Sequence, residues 1–349
     1  MRVCLAPMDG ITDCAYRCIC KEVFQQHGNT TDTLMLWTEF MSADGYFHNP
    51  SGVIAHILRT DFDHETIAQI FGGDEKTLLY TAQHLDQNYD FAGIELNMGC
   101  PSPKIMTCAA WSWMLRDKER TLDIIKRMAA SISKPFSIKT RIGLTDADIH
   151  EQFQFLINAS EYVHTITIHG RTYKQSHAWD VNREFIYRLK EALPDKVIIG
   201  NWGLRSYNDC IDKLWNLDGM MTGQSAIGNP RILTPHTPTT HEKISTIIHH
   251  LSISCAADMY VQHQIATWST SNPRAHTLVQ PTYAYLCDQA TWIETHPDAP
   301  EVNALRTPVE FRKYLFAYLK GIPGSKELKT EIAQIKTYGP LKALLQKIA

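Results

Sequence analysis

Short apolar and β-branched runs recur along this chain, and the stretches between them carry apolar residues at helical spacing with charges on the opposite face. The runs Val3–Ala6, Leu34–Trp37, Ile67–Phe71, Gly93–Asn97, Phe136–Thr140, Thr165–His169, Val197–Gly200 and Gly219–Thr222 predict eight strands. Helices are predicted over Glu75–Gln87, Thr121–Ser131, Ile149–Ala159 and Arg183–Leu193. Eight βα repeats predict a TIM (β/α)8 barrel, an α/β fold with a parallel sheet. A doubly wound sheet is the runner-up, but Ala6-Pro-Met-Asp-Gly10 stands where its Gly-rich nucleotide loop would follow the first strand.

The pattern changes at Thr234–His241, a Pro- and Thr-rich stretch unsuited to the interior of any element. This divides the chain into a catalytic barrel over residues 1–235 and a C-terminal all-helical domain over residues 242–349. In the second part helices are predicted over Glu310–Leu319 and Ser325–Thr337, with a break at Gly321–Gly324. Asn272–Pro300 shows no pattern that assigns an element.

With 349 residues and 44% hydrophobic content the chain can bury a large core. No apolar run approaches the roughly 18 residues needed to span a bilayer, and no signal peptide precedes Val3, so a cytoplasmic protein is expected. Nine cysteines without CxxC pairs point to reduced thiols rather than disulfides or a metal cluster, and no metal is expected. The net charge of −3 is uneven, since nine Lys and Arg stand against three Glu from Arg306 onward. A basic tail on an acidic body suggests a local phosphate-binding face, although a solvated helix surface has the same composition.

The fourth predicted strand breaks into Asn97-Met-Gly-Cys-Pro101, where a barrel strand would deliver side chains to a pocket. Cys100 is the first catalytic candidate: a free thiol, with a pKa near about 8.5, can donate a proton as well as act as a nucleophile. A buried structural cysteine is the alternative.

Around it, in order, come Ala6-Pro-Met-Asp-Gly-Ile-Thr-Asp13, Ser137-Ile-Lys-Thr-Arg-Ile-Gly143, Ile168-His-Gly-Arg-Thr172 and Gly223-Gln-Ser-Ala-Ile-Gly-Asn-Pro230. With Asn97–Pro101 these segments resemble the tRNA-dihydrouridine synthase family of flavoenzymes, from Met1 to about Leu233. The resemblance implies FMN at the barrel mouth, hydride transfer to C6 of a uracil ring, and protonation of C5 by Cys100. It implies Pro7, Met8, Asp9, Gln69, Lys139 and His169 as flavin contacts, with Asn201, Trp202, Gly203, Gly223 and Gln224 at the phosphate end. Asn97, Arg141 and Arg171 become candidate substrate contacts, and Arg312, Lys313 and Lys320 candidate tRNA contacts. NADPH or NADH would be the electron donor, tRNA the partner, and the protein a monomer that binds no membrane.

The chain departs from the family at the phosphate end. Asn201-Trp-Gly203 stands where Asn-Gly is usual, and Gln224 where arginine is usual, which removes a charge-assisted contact. Trp111, Trp113, Trp202 and Trp215, with Trp179 as a fifth candidate, fall where a small residue is expected. One residue type repeatedly replaced by another predicts a codon read as glycine in the source, and an indole at 202 is expected to obstruct the flavin phosphate. The expected function is reduction of tRNA uridine to dihydrouridine. Its rivals are a flavin oxidoreductase acting on small pyrimidines and a tRNA-binding relative without flavin.

Overall fold

Inward and outward residues alternate along every strand of the computed structural model, which describes residues 1–99, 112–175, 180–268, 277–322 and 324–348. The strands are β1 (Arg2–Leu5), β2 (Thr33–Met35), β3 (Met41–Ser42), β4 (Ile67–Phe71), β5 (Gly93–Asn97), β6 (Phe136–Arg141), β7 (Thr165–His169), β8 (Val197–Asn201) and β9 (Gly219–Thr222). They form one parallel sheet in the order β2-β1-β9-β8-β7-β6-β5-β4-β3. β2 and β3 are two pieces of a single stave. Just beyond β2, Ile67 N donates to Leu36 O and Thr38 N donates to Ile67 O, both at 2.9 Å, so the sheet closes on itself. The result is the eight-stave barrel predicted from the sequence, without open edges in the ring.

Outward residues such as Leu5, Ile94, Leu96, Ile138, Ile166 and Ile198 bury against the helices. Each contributes about 1.5–3 kcal/mol by leaving water. Inward, Cys4, Ala6, Trp37, Ile67, Ile199 and Met221 fill the barrel floor, below a polar layer that includes Gln69, Glu95 and Thr167. The helices Glu75–Asn88, Lys118–Ser131, Ile149–Ala159 and Arg183–Ala192 run close to their predicted limits. Asp74, Asp117 and Asn182 cap three of them by accepting a backbone N–H of the first turn.

The C-terminal helices differ more from expectation. A 27-residue helix, Thr240–Ala266, opens with a capping box between Thr239 and Glu242 and packs on helix Cys14–His27 of the barrel. Helix Tyr283–Thr295 lies inside the stretch that showed no pattern. Its buried face is only Leu286, Ala290 and Ile293, while the aromatic rings of Tyr285 and Trp292 remain exposed and blur the periodicity. The helix expected over Glu310–Leu319 is broken at Phe311 into Thr307–Glu310 and Arg312–Tyr318, and the one starting at Ser325 ends at Ile332. Among the described residues no helix is long and apolar enough to cross a membrane.

Trp215 is the one non-glycine among the described residues with positive φ, at 47°, and its side chain is 77% exposed. A left-handed conformation costs an L-residue about 1–2 kcal/mol, which the exposed indole does not recover by burial. Trp215→Gly should therefore stabilise the fold by about 1 kcal/mol after the greater flexibility of the unfolded glycine chain is allowed for. An unchanged or lower urea midpoint would remove the strain argument.

Candidate active site

Strand register brings the polar inward residues together at the C-terminal ends of the staves. Asn97 pairs with Lys139 across β5 and β6, Arg141 with His169 across β6 and β7, and His169 with Asn201 across β7 and β8. These side chains surround a cavity of about 310 Å³, to which the first loop adds Pro7, Met8 and Asp9. Arg171, Trp202, Gly203, Gly223 and Gln224 complete the wall, joined by Phe40 and Ser225. The residues predicted as flavin and substrate contacts thus gather at one place, with two exceptions. Gln69 lies buried beneath the cavity, and Cys100 lies outside the described residues.

The first loop is held from two sides. Glu39, almost wholly buried, accepts from Gly10 N at 2.5 Å, and Gly10 takes φ +66° to turn there. Burial, aided by the nearby charge of Asp13, pushes the Glu39 carboxyl up to about 8. From the C-terminal helices Tyr314 reaches the same loop, its hydroxyl oxygen lying 2.5 Å from Ile11 O and 2.8 Å from Asp13 Oδ2.

On the floor a chain of hydrogen bonds sets which way each amide points. Glu95 Oε1 accepts from Gln69 Nε2 at 2.6 Å, Gln69 Oε1 accepts from Asn97 Nδ2 at 2.8 Å, and Asn97 Oδ1 accepts from Gly99 N at 3.0 Å. The order follows from a carboxylate that accepts at its buried end. It runs from the barrel interior to the Met98–Gly99 peptide. On the other side Lys139 Nζ donates to Asn201 Oδ1 at 3.0 Å, while Asn201 Nδ2 donates to Met221 O at 2.9 Å. Arg141 braces two loops, donating to Gly99 O at 2.8 Å and Thr172 O at 3.1 Å. Arg171 Nη1 lies 3.3 Å from His169 Nε2.

Burial pushes the Glu95 carboxyl from its ordinary 4.5 up to about 7, against the lowering effects of the Gln69 hydrogen bond and the Lys139 charge. Below about pH 4.5 Glu95 is neutral in folded and unfolded chains alike. As pH rises toward 7 the unfolded chain loses this proton first, so stability falls; above about 7 the deficit is constant. Glu95→Gln keeps the acceptor for Gln69 and should raise stability by up to about 3 kcal/mol at alkaline pH and not at all near pH 4. Denaturant titrations at the two pH values check this, and a gain of equal size at both would rule out ionisation as its cause.

Trp202 lines the cavity wall and also packs back on β8. Its indole folds back until a Cβ placed on Gly200 would lie 2.5 Å from Cζ3, and it is 5% exposed. The room comes from the bare backbone of Gly200, at the cost of a buried indole N–H without a hydrogen-bond partner among the described residues. Trp113 lies in helix Ser112–Arg116, and Trp111 and Trp179 fall outside the described residues. Of the three tail cations, Arg312 donates to Ile335 O at 2.5 Å, Lys313 is exposed with its ammonium 5.0 Å over the Tyr314 ring, and Lys320 is exposed.

The family model for dihydrouridine synthase (Dus) matches residues 4–267. The chain belongs to the dihydrouridine synthase family. Among curated relatives, the tRNA-dihydrouridine(20/20a) synthase of Yersinia pestis is 29% identical over 225 residues, 60% of this chain and 62% of that protein. Similar matches are found with the enzymes of the same name from Xylella fastidiosa strain Temecula1, 29% identical over 66% of this chain and 70% of that one, and Vibrio cholerae, 27% identical over 72% and 78%. This chain thus spans less than two thirds of the Yersinia relative. Within this site, Glu95, Phe40 and Ser225 were not singled out from the sequence. Glu95 had a usable signal, an acidic residue on the same inward face as Asn97 two positions on. Phe40 and Ser225 had none, because loops set their direction.

Proposed function

We propose that this chain is a tRNA-dihydrouridine synthase that reduces the C5=C6 bond of uridine in tRNA, with FMN as its redox group and NADPH or NADH as electron donor. The observation that carries this reading is the ring of Asn97, Lys139, His169 and Asn201 at the C-terminal mouth of a closed barrel, in a chain of the dihydrouridine synthase family. The residues suit a flavin: the cavity offers amides, one ammonium and a histidine, and a Cβ on Gly203 or Gly223 would meet nothing closer than 3.6 Å, so backbone amides can face a phosphate. Pro7, Met8, Asp9, Gln69, Lys139 and His169 would hold the ring system, and residues 201–203 with Gly223 and Gln224 the phosphate chain.

Bound reduced FMN would supply the hydride for C6. The chain's residues do the rest. Asn97, its amide oriented by Gln69 and Glu95, hydrogen-bonds the uracil edge, with Arg141 and Arg171 lining the same side. Lys139 stabilises negative charge as it develops. Cys100, the residue after Gly99, gives its proton to C5. The barrel of residues 1–235 does the chemistry in a monomer, and the helical part, residues 242–349, holds tRNA through Arg312, Lys313 and Lys320 of its basic tail.

Incubation of the purified protein with unmodified tRNA and NADPH tests the reading. Mass spectrometry should show uridine that has gained two hydrogens, and the protein should be yellow. A colourless protein that binds tRNA without changing it would support the flavin-free alternative.

A further inference from the structure

Helix Arg312–Tyr318 of the C-terminal part stands against two loops that wall the active-site cavity. Its Tyr314 hydroxyl oxygen lies 2.5 Å from Ile11 O, 2.8 Å from Asp13 Oδ2 and 3.5 Å from Gly10 O, in the loop whose Pro7, Met8 and Asp9 line that cavity. Its backbone meets the other loop at Gly228, where an added Cβ would lie 2.5 Å from Tyr314 O and 2.7 Å from Tyr318 N. Gly228 takes φ +58°, so only glycine suits both the turn and the approach. That turn continues Gly223, Gln224 and Ser225, which line the same cavity. Tyr16 joins the two contacts: its ring centroid is 5.3 Å from that of Tyr314, its hydroxyl donates to Ala226 O, and it accepts from Asn229 N at 3.3 Å. Both tyrosines are buried.

A loop that meets a ligand through its backbone binds best when it is already in the bound shape, because ordering it afterwards costs affinity. The loop at residues 7–13 turns on a positive-φ glycine, and a hydroxyl fixed on a packed helix limits the conformations open to it. We propose that Tyr314 is a positioning residue of the flavin site, through which helix Arg312–Tyr318 preorganises the loops at residues 7–13 and 223–230 for FMN. The C-terminal part thereby supports the cofactor, a role separate from its proposed hold on tRNA. The inference rests on the proposed flavin occupant of the cavity.

Titration of the apoprotein with FMN, followed by quenching of flavin fluorescence, tests it. Tyr314→Phe keeps the ring and removes the hydroxyl, and the FMN Kd should rise by about three- to tenfold, since apparent affinity falls with the fraction of loops in the competent shape. Excess FMN should return turnover to near the parent rate. Tyr318→Phe is the control: it removes a buried hydroxyl from the same helix, whose hydrogen-bond partner among the described residues is His250 Nδ1 at 3.2 Å, and should leave the FMN Kd as in the parent. Linkage supplies a second measurement on the parent itself. If the docked helix favours FMN, then FMN favours the docked helix, and adding FMN to the apoprotein should slow amide hydrogen exchange at residues 312–318. An unchanged FMN Kd in Tyr314→Phe, an equal rise in Tyr318→Phe, or protection by FMN confined to residues 1–235 would overturn the proposal, and the last result decides even if Tyr314→Phe does not fold. A parent protein that binds no FMN would overturn the proposed function and this inference with it, whereas one that binds FMN regardless of Tyr314 overturns the inference alone.

Discussion

Cys100→Ala should lower dihydrouridine formation by about 10²–10⁴-fold while leaving flavin bound and reducible by NADPH. The expected split arises because hydride addition to C6 of a double bond conjugated with a carbonyl leaves an enolate-like anion, and only its protonation at C5 needs the thiol. The hydrogen-bonded line from Glu95 through Gln69 and Asn97 ends on Gly99 N, and Arg141 donates to Gly99 O, so Gly99 is held from both sides independently of the thiol. Single-turnover measurement of flavin reduction and of flavin oxidation by tRNA separates the two steps. Near-parent product formation would remove Cys100 as the acid, and loss of flavin would make it a structural residue.

Lys139→Ala should reduce turnover by about 10²–10³-fold, the usual effect of deleting one donor to a developing negative charge, and should weaken FMN retention as well. Two observations make both effects expected. The ammonium sits on the inward face of β6 opposite Asn97, and it donates to Asn201 Oδ1, so its loss leaves that amide without its cation. Flavin content after gel filtration and steady-state rates with saturating FMN distinguish the contributions. Unchanged values for both would exclude Lys139 from the site.

The placement of the site candidates around one cavity was legible in the sequence where a strand carries the residue. Asn97, Lys139, Arg141, His169 and Asn201 all sit within two residues of a strand end, where a period of two decides which side chains face the pocket. It was less complete where loops and packing decide. The indole of Trp202 turned inward because Gly200 leaves a hollow beneath it, which no local pattern reveals. Arg312, picked for its charge, spends that charge in part on the Ile335 carbonyl, since the broken helix at Phe311 brings the two segments together. Trp215 is a different case: the expectation of a small residue there agrees with its positive φ, a backbone demand that local sequence comparison can express.

By itself the sequence determined the eight staves, the helices of the barrel and the residues at the staves' ends, because alternation and helical spacing are short-range properties that burial enforces on each element separately. Only the tertiary structure decided how the second stave divides into β2 and β3 and still closes the ring through Leu36, Thr38 and Ile67. It also decided that helix Tyr283–Thr295 forms and that Tyr314 ties the C-terminal helices to the first loop. Those outcomes depend on contacts between residues far apart in the chain, and their energies exist only once the barrel has brought the partners together.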